Sequence, residues 1–247
     1  MKKLVSLLLA IILLMGLMPV HAEEETDLSS FILRYGRRDE KKVAITVDDS
    51  WDLEYTWKIR DLFHELGVVG TFFPIGMKVL EEDGPEWQKI LDYGNEIGSH
   101  SFGHLALGAK DPYNIYSTLA RFQQALDAAL GYHYQVNSFR PPYGSIKDES
   151  GDGRSFRTAV QRYGYQHIVL WEVSQTEVNK AFSKTKNGSI LLFHARHKDY
   201  VCLQELIPRL LEAGYELVTV SDLLEFGENE ISPEPYVFHK EDYQKAG

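Results

Sequence analysis

The stretch Val43-Ala44-Ile45-Thr46-Val47-Asp48-Asp49-Ser50-Trp51 decides how the chain reads: an unbroken apolar run that ends on two adjacent carboxylates. Short, β-branched runs of this kind are buried strands. Two like charges at the mouth of such a strand repel each other, so the pair points to a cation or a proton-transfer task that uses both. Solvated acids at a strand-to-loop boundary are the plainer alternative, and the pair alone does not displace it. Further along, His100-Ser101-Phe102-Gly103-His104 supplies two imidazoles four positions apart and tips the balance.

Outward from that run, apolar spacing and glycine stops predict a helix over 54–66 ending at Gly67, a strand over 70–75, a helix over 81–93 ending at Gly94 and a strand over 96–99. A helix over 113–130 closed by Gly131 follows, then a strand over 136–140 halted by Pro141-Pro142. The remainder reads as a helix over 154–163, strands over 165–170 and 189–194, a helix over 201–213, a strand over 215–220 and a short helix over 222–226 capped by Ser221. Repeated strand-then-helix units imply an α/β fold with a parallel sheet, open or closed into a barrel. Asp48, Asp49, His100, Arg140, Trp171 and His194 all fall at or just past the C-terminal end of a predicted strand, the face on which parallel α/β folds carry their active sites.

A chain of 247 residues, 44% of them hydrophobic, has material for one large α/β domain or two small ones. With 36 acidic against 26 basic residues, the net charge of -10 leaves no basic footprint for nucleic acid and disfavours an anionic membrane surface. Residues 1–22 read as a signal peptide: Lys2 and Lys3, an apolar core, then Val20-His21-Ala22 as the cleavage site. The expected location is secreted or cell-envelope associated, without stable membrane insertion after cleavage. Residues 23–41 read as a polar N-terminal arm and 227–247 as a surface tail. The single cysteine, Cys202, begins an amphipathic stretch and is expected in the core rather than in catalysis.

On one helical turn His100 and His104 share a face and can hold a single metal ion. Adding Asp49 gives two imidazoles and a carboxylate, three protein ligands with open positions, which is the pattern of a catalytic metal. Zinc is the default for this donor set, and cobalt, iron, nickel or manganese also suit it. Asp48 is then left as a free carboxylate able to act as general base, and His194, ending Ile190-Leu191-Leu192-Phe193, supplies a proton donor from another strand. Base, metal and acid together describe metal-assisted hydrolysis at a carbonyl.

These residues resemble the polysaccharide deacetylases of carbohydrate esterase family 4, the NodB homology domain, over roughly residues 42–226. Thr46-Val47-Asp48-Asp49 is similar to the first motif of that family, in which the first Asp is the base and the second a metal ligand. Ser99-His100-Ser101-Phe102-Gly103-His104 resembles the second, which supplies the other two ligands. Arg140-Pro141-Pro142-Tyr143-Gly144 resembles the third, where the Arg contacts the base and the Tyr backbone amide helps bind the oxyanion. Leu192-Phe193-His194 resembles the fifth, with Leu lining the acetyl methyl pocket and His as the acid. The resemblance implies a distorted (β/α) barrel of seven or eight units in a single domain. It further implies a divalent metal cofactor and a glycan substrate such as peptidoglycan or a chitin-like polymer, deacetylated at nitrogen.

Two segments depart from the family pattern. Val47 and Ser50-Trp51 replace the usual Phe and Gly-Pro of the first motif, altering the floor and rim of the site and leaving Trp51 free to stack on a sugar or simply to pack. In Leu170-Trp171-Glu172-Val173-Ser174, Ser174 stands where the family places an Asp that orients the arginine, so Arg140 needs another partner, with Glu172 or Glu177 in reach along the chain. Trp171 is expected to wall a hydrophobic pocket. The altered segment keeps two other readings open: an O-acetyl esterase of the xylan type, and a catalytically weakened carbohydrate-binding relative.

Overall fold

The computed structural model describes residues 28–147 and 153–245; the signal peptide expected at 1–22 lies outside them. Among these residues the central strand is β2, Lys42–Asp49, with β1 at Ile32–Leu33 before it. The chain continues through β3 Thr71–Pro74, β4 Glu96–Ile97, β5 His133–Tyr134, β6 Ile168–Val169, β7 Ile190–His194, β8 Glu216–Leu217 and β9 Ile231–Ser232. Strands β4, β3, β2 and β7 lie side by side and parallel, and β8 also pairs with β2. On the far side the round is carried by single contacts instead of ladders. Ser99 bridges Phe139, the amide of Val169 donates to the carbonyl of Phe139 (2.8 Å), and Val173 bridges Leu191. The result is the single α/β body with a parallel sheet expected from the sequence; the barrel is not closed by strand ladders.

The period of two along β2 sorts its side chains. Val43, Ile45 and Val47 face outward into a core shared with Phe72, Leu191, Phe193 and the covering helices. Ala44 faces inward with Phe73, Val169 and Ile190, and Thr46 and Asp48 continue that inward row. Two small residues ahead of Asp48 leave the interior room for a whole guanidinium, that of Arg140, which is 0% exposed. Gly98 permits a close approach on the same side, since a Cβ there would lie 2.4 Å from the Phe73 ring.

Helices Leu53–Glu65, Pro112–Leu130 and Arg154–Tyr163 fall where the apolar spacing puts them. Asp52 and Asp111 cap the first two by accepting amide hydrogen bonds. Elsewhere the boundaries move. The helix predicted from residue 81 begins at Gly84 after a 3-10 turn at Glu81–Asp83, because Pro85 suits the first turn of a helix. The helix predicted from residue 201 begins at His197, and Cys202 is buried within it. The last short helix is capped by Thr219 rather than Ser221: the Thr219 side chain accepts from the Asp222 amide (3.1 Å), and β8 is correspondingly short.

The flanks contribute structure of their own. Ile32 and Leu33 pair in parallel with Ile168 and Val169, and Phe31 is buried. Ile231 and Ser232 pair antiparallel with Tyr134 and His133. A helix at Val178–Lys184, capped by Glu177, is absent from the apolar pattern of the sequence.

Candidate active site

At the C-terminal mouth of the parallel strands the backbone leaves ordinary geometry. Asp49 (φ 75°), Ser50 (φ 57°), Ser101 (φ 65°), His104 (φ 54°) and Tyr143 (φ 60°) are left-handed, and among the described non-glycine residues only Glu225 joins them. Each such residue costs about 1–2 kcal/mol and persists only where its surroundings enforce it. Here the enforcement is visible: the Ser50 amide donates to Asp48 O (3.0 Å) and the Ile75 amide to Asp49 O (3.1 Å). The turn separates the adjacent acids, Asp48 staying in the interior at 2% exposure and Asp49 swinging to the rim.

Asp49 meets the two histidines. Its Oδ1 lies 3.3 Å from His100 Nε2 and 3.1 Å from His104 Nε2. His100 Nδ1 donates to the carbonyl of Arg140 (2.8 Å), so in the neutral ring Nε2 presents a lone pair to the carboxylate. Two acceptors then face each other, and Asp49 Oδ1 is buried without a hydrogen-bond partner. A cation among the three groups resolves that arrangement, and their ligand atoms all lie within 4.8 Å of one another. The residues present therefore fit a divalent ion. Burial works to raise the Asp49 carboxyl, but contact with His100 and His104 and the nearby His194 outweigh it and hold the group well below the usual carboxylate range.

Asp48 belongs to Arg140. Nη1 of Arg140 donates to Asp48 Oδ1 (2.6 Å) and to Thr46 Oγ1 (2.7 Å), while Nε and Nη2 donate to the carbonyls of Val169 (3.1 Å) and Leu170 (3.2 Å). Burial pulls the guanidinium's proton affinity down, and the Asp48 charge opposes it. Neither Glu172 nor Glu177 is the partner. Glu172 pairs with Arg38 (2.7 Å) and accepts from Ser189 Oγ (2.6 Å), Glu177 caps a helix, and Ser174 is exposed.

His194 closes the group from β7, its Nε2 4.0 Å from Asp49 Oδ2. Arg196 donates from Nη2 to His194 Nδ1 (2.7 Å), and the buried Asp199 receives both the His194 amide (3.2 Å) and Arg196 Nε (3.1 Å). Burial lowers the His194 pKa and Arg196 lowers it further, against the charges of Asp48, Asp49 and Asp199. Leu192 is buried on the inward row of β7. Trp171 packs beside Gly144, 5.8 Å from the Arg140 guanidinium, and Tyr143 stands at the rim at 71% exposure. All nine residues singled out in the sequence thus gather at one mouth. Thr46, Arg196 and Asp199 were missed; Arg196 and Asp199 lie just past His194, but nothing in their spacing marks them.

Comparison with known proteins agrees with this geometry. The profile of the polysaccharide deacetylase family matches residues 35–168. A peptidoglycan-N-acetylglucosamine deacetylase of Bacillus cereus is 32% identical over 206 residues, covering 76% of this chain and 90% of its own length. A deacetylase of the same description from Listeria monocytogenes is 26% identical over 193 residues, 74% of this chain but 39% of its own length. Among solved structures, a mutant of a CE4-family pseudoenzyme from Bacillus anthracis, with restored enzymatic activity, superposes with a TM-score of 0.69 at 25% identity, covering 80% of this chain and 72% of its own.

Proposed function

Because the chain belongs to the polysaccharide deacetylase family, we propose that it hydrolyses N-acetyl groups on an amino-sugar glycan, peptidoglycan or a chitin-like polymer, at the centre built by Asp48 and Asp49. The observation that carries the reading is the division between those neighbours: Asp48 bonded to Arg140 in the interior, Asp49 facing two imidazoles at the mouth.

Asp49, His100 and His104 would hold a divalent ion, most simply zinc, whose Lewis acidity polarises an acetamide carbonyl and makes water a competent nucleophile near neutral pH. Asp48 takes the proton from the attacking water, and Arg140 keeps that carboxylate aimed. The Tyr143 amide supports the oxygen as negative charge develops on it. Leu192 and Trp171 enclose the acetyl methyl. As the C–N bond breaks, His194, protonated as the imidazolium, delivers a proton from Nε2 to the departing amine and is left neutral, with acetate and a free amino sugar as products. Export to the cell envelope is part of the proposal; it rests on the signal-like residues 1–22 and on the cell-wall substrate in the names of the relatives.

The second reading, a weakened glycan-binding relative, draws support from Arg140 having, among the described residues, no acid in contact besides Asp48. Acetate release from chitin oligomers, peptidoglycan and acetylated xylan by the zinc-loaded protein, with Asp48→Asn and His194→Ala as controls, separates the readings. Release from the amino-sugar polymers that both substitutions abolish is the expected result. Release from xylan alone would make the protein an O-acetyl esterase, and none from any substrate would leave the binding reading.

A further inference from the structure

Two large aromatic side chains from different segments are left uncovered against His104, and two exposed apolar residues belong to the neighbouring segments. Trp51 is 50% exposed, Tyr143 more so, and Met77 and Leu105 join them. The Trp51 ring stands edge-on to His104 at 6.2 Å and Tyr143 does the same at 4.6 Å, so His104 has two exposed aromatics against it. Both are mostly exposed, and Trp51 directly follows the left-handed residues Asp49 and Ser50. Exposed aromatics gathered beside a reactive centre mark a ligand surface.

A charge sits with them. The Lys78 ammonium lies 5.3 Å over the indole of Trp51 and forms no ion pair with any described residue. The backbone fixes its segment, since the amides of Gly76 and Met77 donate to the carbonyls of Ser101 and Phe102 (both 2.9 Å). In a chain of net charge -10 this puts an unneutralised cation at the mouth of the site, over an aromatic face. The apolar C–H face of a pyranose matches the indole, and a carboxylate on that ring matches the ammonium.

We propose that Trp51 and Lys78 form a subsite for the sugar next to the reacting one, and that its ligand is a glycan bearing a carboxylate on that neighbouring ring. The inference rests on the reading of the Asp48/Asp49 centre as one that receives an N-acetylated glycan. Trp51 stands beside His104, one of the three groups that would hold the ion, so a ring stacked on the indole would lie next to a sugar held by its acetyl group.

Calorimetric titration of the full-length, zinc-loaded Asp48→Asn protein tests this by binding rather than turnover. The probes are a β-1,4-linked N-acetylglucosamine tetramer and a tetrasaccharide alternating N-acetylglucosamine with N-acetylmuramic acid. The carboxylated probe is expected to bind more tightly. Trp51→Ala, added to that protein, weakens both probes by about three- to tenfold, as loss of one aromatic contact implies, and Trp51→Phe recovers most of it. Lys78→Gln, or raised salt, brings the carboxylated probe down to the affinity of the neutral one. Unchanged affinities with Trp51→Ala in a protein that melts normally, an equal effect of Lys78→Gln on both probes, or binding of neither probe would overturn the subsite. Binding that follows the expected pattern while the unsubstituted protein releases no acetate would retain the subsite and remove the hydrolase reading.

Discussion

Arg140 and Asp48 meet at 2.6 Å in the barrel interior, and the rest of the guanidinium is held by Thr46 and by the carbonyls of Val169 and Leu170. The partner missing from position 174 is thus replaced by peptide oxygens of the segment just ahead of it, fixed by the pairing of β6. The carbonyls fix the direction of the fork, but they add no negative charge, and a bond to a neutral oxygen is weaker than one to a carboxylate. Among the described residues, Asp48 is the only acid in direct contact with Arg140.

It follows that Arg140→Ala should be among the most damaging substitutions in the chain. It strands a buried carboxylate and three acceptors, and breaking a buried pair in this way costs about 3–5 kcal/mol. Arg140→Lys keeps the charge without the planar fork, so it should fold better yet lose acetate release by about a hundredfold through misdirection of Asp48. Chemical denaturation and kcat on one substrate check both; a fully active Arg140→Lys would show that the fork does not aim the base.

Metal addition should stabilise the protein through Asp49, His100 and His104. Zinc at about a hundred times its dissociation constant adds about 2.7 kcal/mol to a native state that alone binds it, visible as a rise in Tm reversed by a chelator. His100→Ala and His104→Ala should each abolish most of that rise. A rise that survives removal of both imidazoles would place the ion elsewhere.

The contact between Glu172 and Arg38 ties the segment ahead of β2 to the loop after β6, and it carries a pH signature. Burial works to raise the Glu172 carboxyl, but hydrogen bonds from Arg38 and Ser189 outweigh it, so the folded pKa lies below the ordinary 4.5. The unfolded chain then binds the proton more readily, and the stabilisation is present above 4.5 and fades as pH falls through the folded value. Glu172→Gln should cost about 1 kcal/mol or less at pH 7, since water screens much of the pair. Urea melts at pH 7 and at about pH 3 should show the gap between variant and parent closing with acidity. A gap that persists in acid would assign the effect to packing.

How much of this could be read in the sequence follows from where each feature is written. The inward place of Asp48 was legible because a strand's period puts residues 44, 46 and 48 on one face. The imidazole pair was legible as a motif, but residues 100–104 form no helical turn: the rings meet across a loop in which Ser101 and His104 are left-handed. The hold on Arg140 was not, because peptide carbonyls have no letter of their own. Pairing of Ile32 and Leu33 with β6 is a contact across most of the domain, invisible to local pattern. The helix at Val178–Lys184 is about two turns long, too short for a clear apolar period, and is capped by Glu177. At the last helix, Thr219 and Ser221 are equally good caps on paper, and burial of Val220 in the first turn decides for Thr219.

His194 and Arg196 offer the most specific pH prediction. A guanidinium has no acceptor, so its bond to Nδ1 is made to the neutral ring, and the imidazolium that donates the proton forms only as that bond gives way. With burial and then Arg196 acting on it, the folded pKa lies below 6.5, so this ring stabilises the fold above 6.5 and ceases to do so as pH falls through the folded value. Arg196→Gln removes one of the lowering charges and also unpairs Asp199, whose negative charge then acts on the ring unopposed. Both changes push the His194 pKa up, so its imidazole resonances should titrate at higher pH than in the parent. The alkaline limb of acetate release should move the same way, because the donor keeps its proton longer. A downward or absent shift in the imidazole titration would mean that Arg196 does not govern the ring, whatever happens to the rate.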